Sequence, residues 1–193
     1  MIQLKFNAVT TEDDEDQCLC NTYNYDVMWS EEGDDVIKIG QGTIMLYLFS
    51  RTHHEKYISI EDVFYENYHT EIYKTLFEDG SMKDEFMFDI MDSNGNLNVL
   101  VPDRLEIFDG YRNKGYGKVV TELRRRFFSG CYGIEILKAF PLQLEVAITN
   151  DELMNYAEME HDEKKATASL YKMYKKHGYK RVKRTNLFYN IPD

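Results

Sequence analysis

Residues 105–118, LEIFDGYRNKGYGK, constrain the fold more than any other stretch of the chain. An apolar β-type run from Leu105 to Phe108 passes through two glycines, Gly115 and Gly117, straight into an amphipathic helix. The helix is read from one apolar stripe, Tyr116, Val119, Val120, Leu123 and Phe127, with Gly130 placed to end it. Downstream the alternation continues. Residues 134–140 have the composition of a buried strand stopped by Pro141. A helix then runs through Leu170, Met173, Tyr174 and His177 to Gly178, and residues 183–191 form a strand-like tail. Strand, helix, strand, helix, strand in the second half is an α/β pattern.

The first half is more broken. The opening MIQLKFNAV alternates like a strand, the acidic run 12–16 must be exposed, and acidic pairs around Gly33 suggest a turn. Residues 36–49 are β-rich, with Gly40 and Gly42 marking a turn or bulge. From Ser59 the period becomes helical through Phe64, Tyr68, Ile72, Tyr73 and Leu76, with Ser59 as cap and Glu61 and Asp62 in the first turn. Residues 86–91, the Asn94-Gly95 pair and residues 97–101 predict a strand, a tight turn and a strand. A calcium loop at 89–95 is excluded, because Ile90 breaks the required acidic spacing. Residues 149–165 are polar and read either as a helix capped at Thr149 or Asn150 or as an insertion.

At 193 residues and 22.9 kDa the chain predicts one domain over 1–193. No apolar run is long enough to span a membrane and the start lacks a signal peptide's apolar stretch. Three cysteines, Cys18, Cys20 and Cys131, do not make a disulfide framework, so a reducing cytoplasm is the expected home. A net charge of −11 argues against a general nucleic-acid coat protein. That total hides a division: residues 1–100 carry 6 Lys or Arg against 21 Asp or Glu, and residues 101–193 carry 17 against 13. Either surface charge drifts along the chain, or the two halves meet differently charged partners.

Glycines between a strand and a helix let several backbone N–H groups converge on an anion, and the helix dipole adds ~0.3–1 kcal/mol for a negative group. Arg112, Lys114 and Lys118 surround that point with cations, so a diphosphate is the natural ligand. A Walker loop and a dinucleotide fingerprint both fail on spacing. The bland alternative is a glycine turn with exposed basic residues.

The spacing R-x-x-G-x-G after a strand resembles the acyl-CoA diphosphate motif of the GNAT N-acetyltransferase superfamily. A second stretch, LYKMYKKHGY at 170–179, is similar to the helix ending L-Y-x-x-x-G-F in those enzymes. The two motifs stand in the family order with a strand between them and cover residues 101–185. LKAFPLQ at 137–143 also looks like a segment of some bacterial GNAT-like proteins.

The resemblance implies an α/β (α+β mixed sheet) GNAT-like acyl-CoA N-acyltransferase fold, a mixed twisted sheet flanked by helices, with acetyl-CoA as co-substrate and no metal. The strand before the glycine turn would be splayed, with free backbone groups for the pantetheine arm. Ile107, with Phe108 beside it, aligns with the thioester carbonyl, and Arg112, Asn113, Lys114, Gly115, Tyr116, Gly117 and Lys118 with the diphosphate. A backbone oxyanion donor is worth ~2.7–4 kcal/mol in other enzymes. Tyr174 aligns with the general acid that protonates the departing thiolate, with Tyr171 the alternative one turn earlier. Glu145 lies in a Leu-Glu-Val triplet that holds the base in some members, but beyond the usual place, where Lys138-Ala-Phe140 stands instead. Glu106, Glu135 or a water are its competitors. The family asparagine has no counterpart at its spacing: Asn150 is too far from Tyr174, and Thr167 occupies the position.

The expected activity is transfer of an acetyl group from acetyl-CoA to a primary amine by direct attack. The acidic half, with residues 59–77 as the acceptor wall, hints at a cationic amine. Two other readings stay open. One is a GNAT fold that binds acyl-CoA without turnover. The other is an acetyltransferase for a nucleic-acid-linked amine, suggested by seven basic and no acidic residues at 172–184. Cys18-x-Cys20 and His53-His54 lack complementary ligands and read as incidental.

Overall fold

The computed structural model describes residues 1–10, 19–31, 35–49, 59–145, 156 and 159–192. Three long antiparallel strands come first: β1 (Ile2–Thr10), β2 (Cys20–Trp29) and β3 (Ile37–Tyr47). Two short helices follow, α1 (Ile60–Glu66) and α2 (Thr70–Leu76), then a small ribbon, β4 (Phe77–Glu78) and β5 (Ser81–Met82), and α3 (Asp84–Ser93). The second half supplies β6 (Val99–Ile107), α4 (Tyr116–Phe127) and β7 (Ile134–Lys138). It closes with α5 (Glu163–Lys176), β8 (Lys180–Arg181) and β9 (Leu187–Asn190).

Seven strands form one mixed sheet in the order β1-β2-β3-β6-β7-β9-β8, in which only β6 and β7 run parallel. Strand alternation divides the core between the two faces. Tyr47, Val99, Val101 and Ile134 meet Phe64, Leu76 and Ile90 from α1–α3. On the other face Tyr25, Ile39, Ile44 and Leu100 meet Val120 and Phe128 of the α4 region, while Leu137, Ala139 and Phe188 pack under α5.

The β6–β7 pairing is short: only Val99 with Ile134 and Leu100 with Glu135. From Val101 to Ile107 the two strands part, leaving that edge of β6 unpaired by β7. On its other edge β6 pairs with β3, but the register slips between Thr43 and Ile44, so Asp103 stands opposite no residue.

Several expectations hold. Ser59 Oγ accepts the N–H of Asp62 at 3.1 Å and caps α1, an interaction worth ~1 kcal/mol. Helix α4 begins and ends as its stripe indicates, and Gly178 follows α5 with a φ of +83°. Gly40 and Gly42 lie inside β3 rather than at a turn. A side chain on Gly40 would collide with the Glu106 carbonyl, and one on Gly42 with the Tyr25 phenol.

Four expectations are corrected. The strands expected at 97–101 and 105–108 are one continuous strand, β6, and in place of the tail strand expected at 183–191 there is a hairpin of β8 and β9. Residues 84–93 are a helix, not a strand leading into a hairpin. Asp84 and Glu85 favour its N-terminus, Phe86 and Ile90 bury one turn apart, and Gly95, with φ at +69°, follows its end. The helical stretch after Ser59 is two helices, not one. It breaks at Asn67, Tyr68 and His69, where Tyr68 takes a left-handed φ of +59°. The acidic run 12–16, the turn at Gly33, Cys18, His53, His54, Thr149 and Asn150 lie outside the described residues.

Candidate active site at the parted strands

The loop after β6 is wound by three left-handed residues, Gly110, Asn113 and Gly115, with φ of +76°, +60° and +84°. Gly115 is the N-cap of α4 and offers no side chain to it. The N–H groups of Tyr116 and Gly117 bond no described residue, and a Cβ on Gly115 or Gly117 would meet nothing within 4 Å. Exposed amides at an unobstructed helix start are suited to an anion. Lys114 lies 5.3 Å from the Tyr111 ring, and Lys118 pairs with Glu122 at 3.5 Å on the exposed side of the first turn. Tyr116 instead packs toward the core beneath α4.

Arg112 behaves differently from the two lysines. Its Nε donates to the Ile107 carbonyl at 2.9 Å and its guanidinium lies 3.8 Å from Asp109, so it braces the loop against the strand end. Ile107 and Phe108 also separate. The Phe108 N–H donates to the Ile39 carbonyl at 2.9 Å, which removes it as a free oxyanion donor. Alternation along an antiparallel strand turns the Ile107 N–H to the opposite edge, where β6 and β7 part.

Tyr174 sits on α5, half-buried, with its ring 5.6 Å from both Tyr179 and Phe188. Burial pushes its phenol up to about 12, so it stays protonated at neutral pH. Its hydroxyl bonds no described residue. Tyr171, by contrast, is engaged: the Arg181 guanidinium stacks 4.2 Å over its ring and donates to its hydroxyl at 3.4 Å. Of the two tyrosines, Tyr174 has the free donor. Thr167 lies half-buried on the same helix.

The carboxylates fall into three environments. Glu145 is exposed and pairs with Arg104 at 2.9 Å, whose other nitrogen donates to the Tyr156 hydroxyl at 2.9 Å. Glu106 is buried and accepts from Gln41 at 3.1 Å. Glu135 is fully buried, with one oxygen on Arg124 and the other on Arg125, at 2.5 and 2.8 Å. Burial pushes its carboxyl up, but the Arg124 and Arg125 guanidiniums outweigh this and hold it below the usual carboxylate range. With both oxygens occupied at the closed end of the β6–β7 seam, Glu135 is a structural anion and no candidate base.

A cavity of about 390 Å³ opens beside the parted strands on the α1–α2 face. Val101, Pro102 and Asp103 of β6, Lys138 of β7, and Glu66, Tyr68, His69 and Glu71 contribute to its lining. Here the structure brings together residues that sequence reasoning did not connect. His69 stands between Tyr47, at 2.7 Å from Nδ1, and Asp103, at 3.0 Å from Nε2. Lys138 pairs with Glu71 at 2.8 Å and ties β7 to α2. The separation of Tyr47, His69 and Asp103 along the chain carried no local signal. The bulge that leaves Asp103 without a partner on β3 appears only once β3 and β6 are paired. Searches against family models, curated proteins and solved structures find no match to this chain.

Proposed function

We propose that the protein transfers an acetyl group from acetyl-CoA to a primary amine, as the GNAT-like motifs imply. The observation that carries this reading is the parting of β6 from β7 directly before a glycine-wound loop and an uncapped helix start. The parted edge supports a pantetheine arm lying along β6, with the Ile107 N–H as donor to the thioester oxygen. The exposed amides around Gly115 and Gly117, with Lys114 and Lys118 beside them, support the diphosphate. Arg112 keeps the loop in shape rather than meeting the phosphates through its guanidinium. A GNAT-type arrangement is also supported by the strand order, in which one parallel pair is followed by an antiparallel hairpin that inserts its last strand, β9, next to β7.

In this mechanism the amine attacks the thioester carbon, the carbonyl oxygen gains negative charge beside the Ile107 N–H, and the C–S bond breaks. Tyr174 donates to the leaving sulfur. A phenol held at about 12 brings its proton to that step at any pH near neutrality.

Calorimetry with acetyl-CoA, followed by thiol release across an amine panel, tests the reading. Binding and amine-dependent release are expected. Binding without release above the no-amine background makes the protein an acyl-CoA-binding module, and no binding of any CoA species removes the reading altogether. Steep salt dependence of acceptor binding, lost on neutralising residues 172–184, would instead select a nucleic-acid-linked amine.

A further inference from the structure

Resting on the acetyl-transfer reading and deepening it, we propose that Asp103 takes the proton of the acceptor amine and that His69 is its positioning residue. The acceptor enters the cavity at the parted strands as an alkylammonium ion.

The hydrogen-bond chain fixes the roles. Tyr47 is fully buried, and burial, with the neighbouring Cys20, pushes its phenol far up, so it keeps its proton. Its hydroxyl donates to His69 Nδ1 at 2.7 Å in preference to its two sulfur neighbours, the Met45 thioether at 3.7 Å and Cys20, which are weak acceptors. The imidazole proton is thereby placed on Nε2, which donates to Asp103 Oδ1 at 3.0 Å. A carboxylate only accepts, so the chain runs one way and ends on Asp103. Both imidazole nitrogens are engaged, which leaves His69 to orient rather than to touch substrate. The second oxygen of Asp103 bonds no described residue, and its side chain is 44% exposed where it lines the cavity.

The position of Asp103 is equally specific. It is the bulged residue of β6, on the stretch where that strand has left β7, upstream of Ile107 on the same strand. An acceptor in this cavity therefore lies against the strand that would carry the thioester. The cavity's cation, Lys138, is neutralised by Glu71, while Glu66 and Asp103 add negative charge. Tyr68, 96% exposed and held in a left-handed conformation, puts an aromatic ring at the rim, a surface that attracts ammonium groups.

The chemistry balances. The ammonium gives one proton to Asp103, and the freed lone pair forms the C–N bond at the thioester carbon. The C–S bond breaks with its electron pair on sulfur, which takes a proton from Tyr174. The nitrogen's remaining surplus proton leaves to water, Tyr174 is reprotonated from water, and Asp103 releases its proton to solvent.

The test measures thiol release from acetyl-CoA with 1,4-diaminobutane, lysine amide and glutamate as acceptors, alongside acetyl-CoA affinity by calorimetry. Asp103→Asn should lower kcat/KM for the best amine about 100-fold with acetyl-CoA affinity unchanged. His69→Leu should lower kcat about tenfold at unchanged acetyl-CoA affinity, with a lower melting temperature because the buried Tyr47 hydroxyl loses its partner. His69→Gln, whose amide N–H still reaches Asp103, should recover most of that loss. An active wild type with unimpaired Asp103→Asn overturns the proposal and leaves acetyl transfer standing. Equal impairment of the Leu and Gln variants overturns the role of His69, and preference for glutamate, whose ammonium is carried beside two carboxylates, over the diamine overturns an acidic cavity selecting a net-cationic acceptor. A wild type that releases no thiol with any amine overturns the acetyl-transfer reading and this proposal together.

Discussion

The two ends of the β6–β7 seam use the same residue types for different purposes. At the closed end Val99 and Leu100 pair with β7, and Glu135 is sealed between two arginines and shielded by Tyr179, whose hydroxyl accepts from Arg124 at 2.8 Å. At the open end Asp103 has one oxygen on His69 and the other on the cavity. A fully buried carboxylate with both oxygens matched is a fixed part of the fold. One held by a single donor at the edge of a cavity is oriented and still available. The difference arises from strand geometry: pairing with β7 ends after Leu100, and alternation from Val99 and Val101 puts Asp103 on the face that α1 and α2 cover, where the bulge leaves it opposite no residue of β3.

Breaking the closed end should have the largest effect on stability. Glu135→Gln leaves Arg124 buried without its counter-charge, and such a loss typically costs about 3–5 kcal/mol. Urea denaturation at pH 7 should show it as a lower midpoint. The sign of the pH dependence follows from the depressed carboxyl of Glu135. Its contribution is fully present above the unfolded carboxylate value of ~4.3 and disappears only as pH falls through the lower folded value. The stability gap between wild type and Glu135→Gln should therefore be constant from pH 8 to 5 and close below about 4. A gap that closes between pH 8 and 6 would mean Glu135 is not the sealed anion described.

Tyr174, whose phenol lies among Arg124, Glu135 and Tyr25, should be felt in turnover rather than stability. Tyr174→Phe removes a hydroxyl with no described partner, so folding should change little while turnover falls about 100-fold, equivalent to ~2.7 kcal/mol of barrier. Because the phenol sits at about 12, the ratio of wild-type to variant rates should be flat from pH 6 to 9. A ratio that slopes through this range would assign the proton transfer to another group.

Sequence patterning made the second half legible because its elements are long and strongly periodic. Helix α4, the strand after it and the helix through Tyr174 all fall where expected, although Phe127 of the α4 stripe is exposed and Thr121 and Arg124 are buried beside Val120. Residues 84–93 misled because a short apolar run such as FMFDIM fits either period, and Asn-Gly also serves after a helix end. The stretch after Ser59 kept a helical period across a real break, since Phe64 and Ile72 belong to separate helices that bury the same way. At the site, the backbone features were legible: Gly115, Gly117 and the end of β6. The side-chain partnerships were not. Arg124 reads as the polar side of an amphipathic helix, yet it is buried because Glu135 comes from a strand at the matching height. His69 and Asp103 join only where the break between α1 and α2 meets β6, a tertiary contact that composition does not encode.

The glycine loop, which shares the open end's exposure but contributes through its backbone, yields a smaller effect. Gly117→Val places a side chain where nothing stands within 4 Å, so stability should hold while acetyl-CoA affinity drops about tenfold, ~1.4 kcal/mol. Gly115→Ala forces a Cβ onto a φ of +84°, and should instead cost about 1 kcal/mol of stability. The smallest effect belongs to Lys118. Its pair with Glu122 at 3.5 Å is exposed on both sides, so Lys118→Ala should change stability by no more than ~0.5 kcal/mol. If the lysine also faces the diphosphate, the same variant should weaken acetyl-CoA binding at low salt and approach wild type as screening increases. Equal loss at all salt concentrations would mean that Lys118 shapes the helix start rather than attracting the anion, and would move the charge recognition onto the amides of Tyr116 and Gly117.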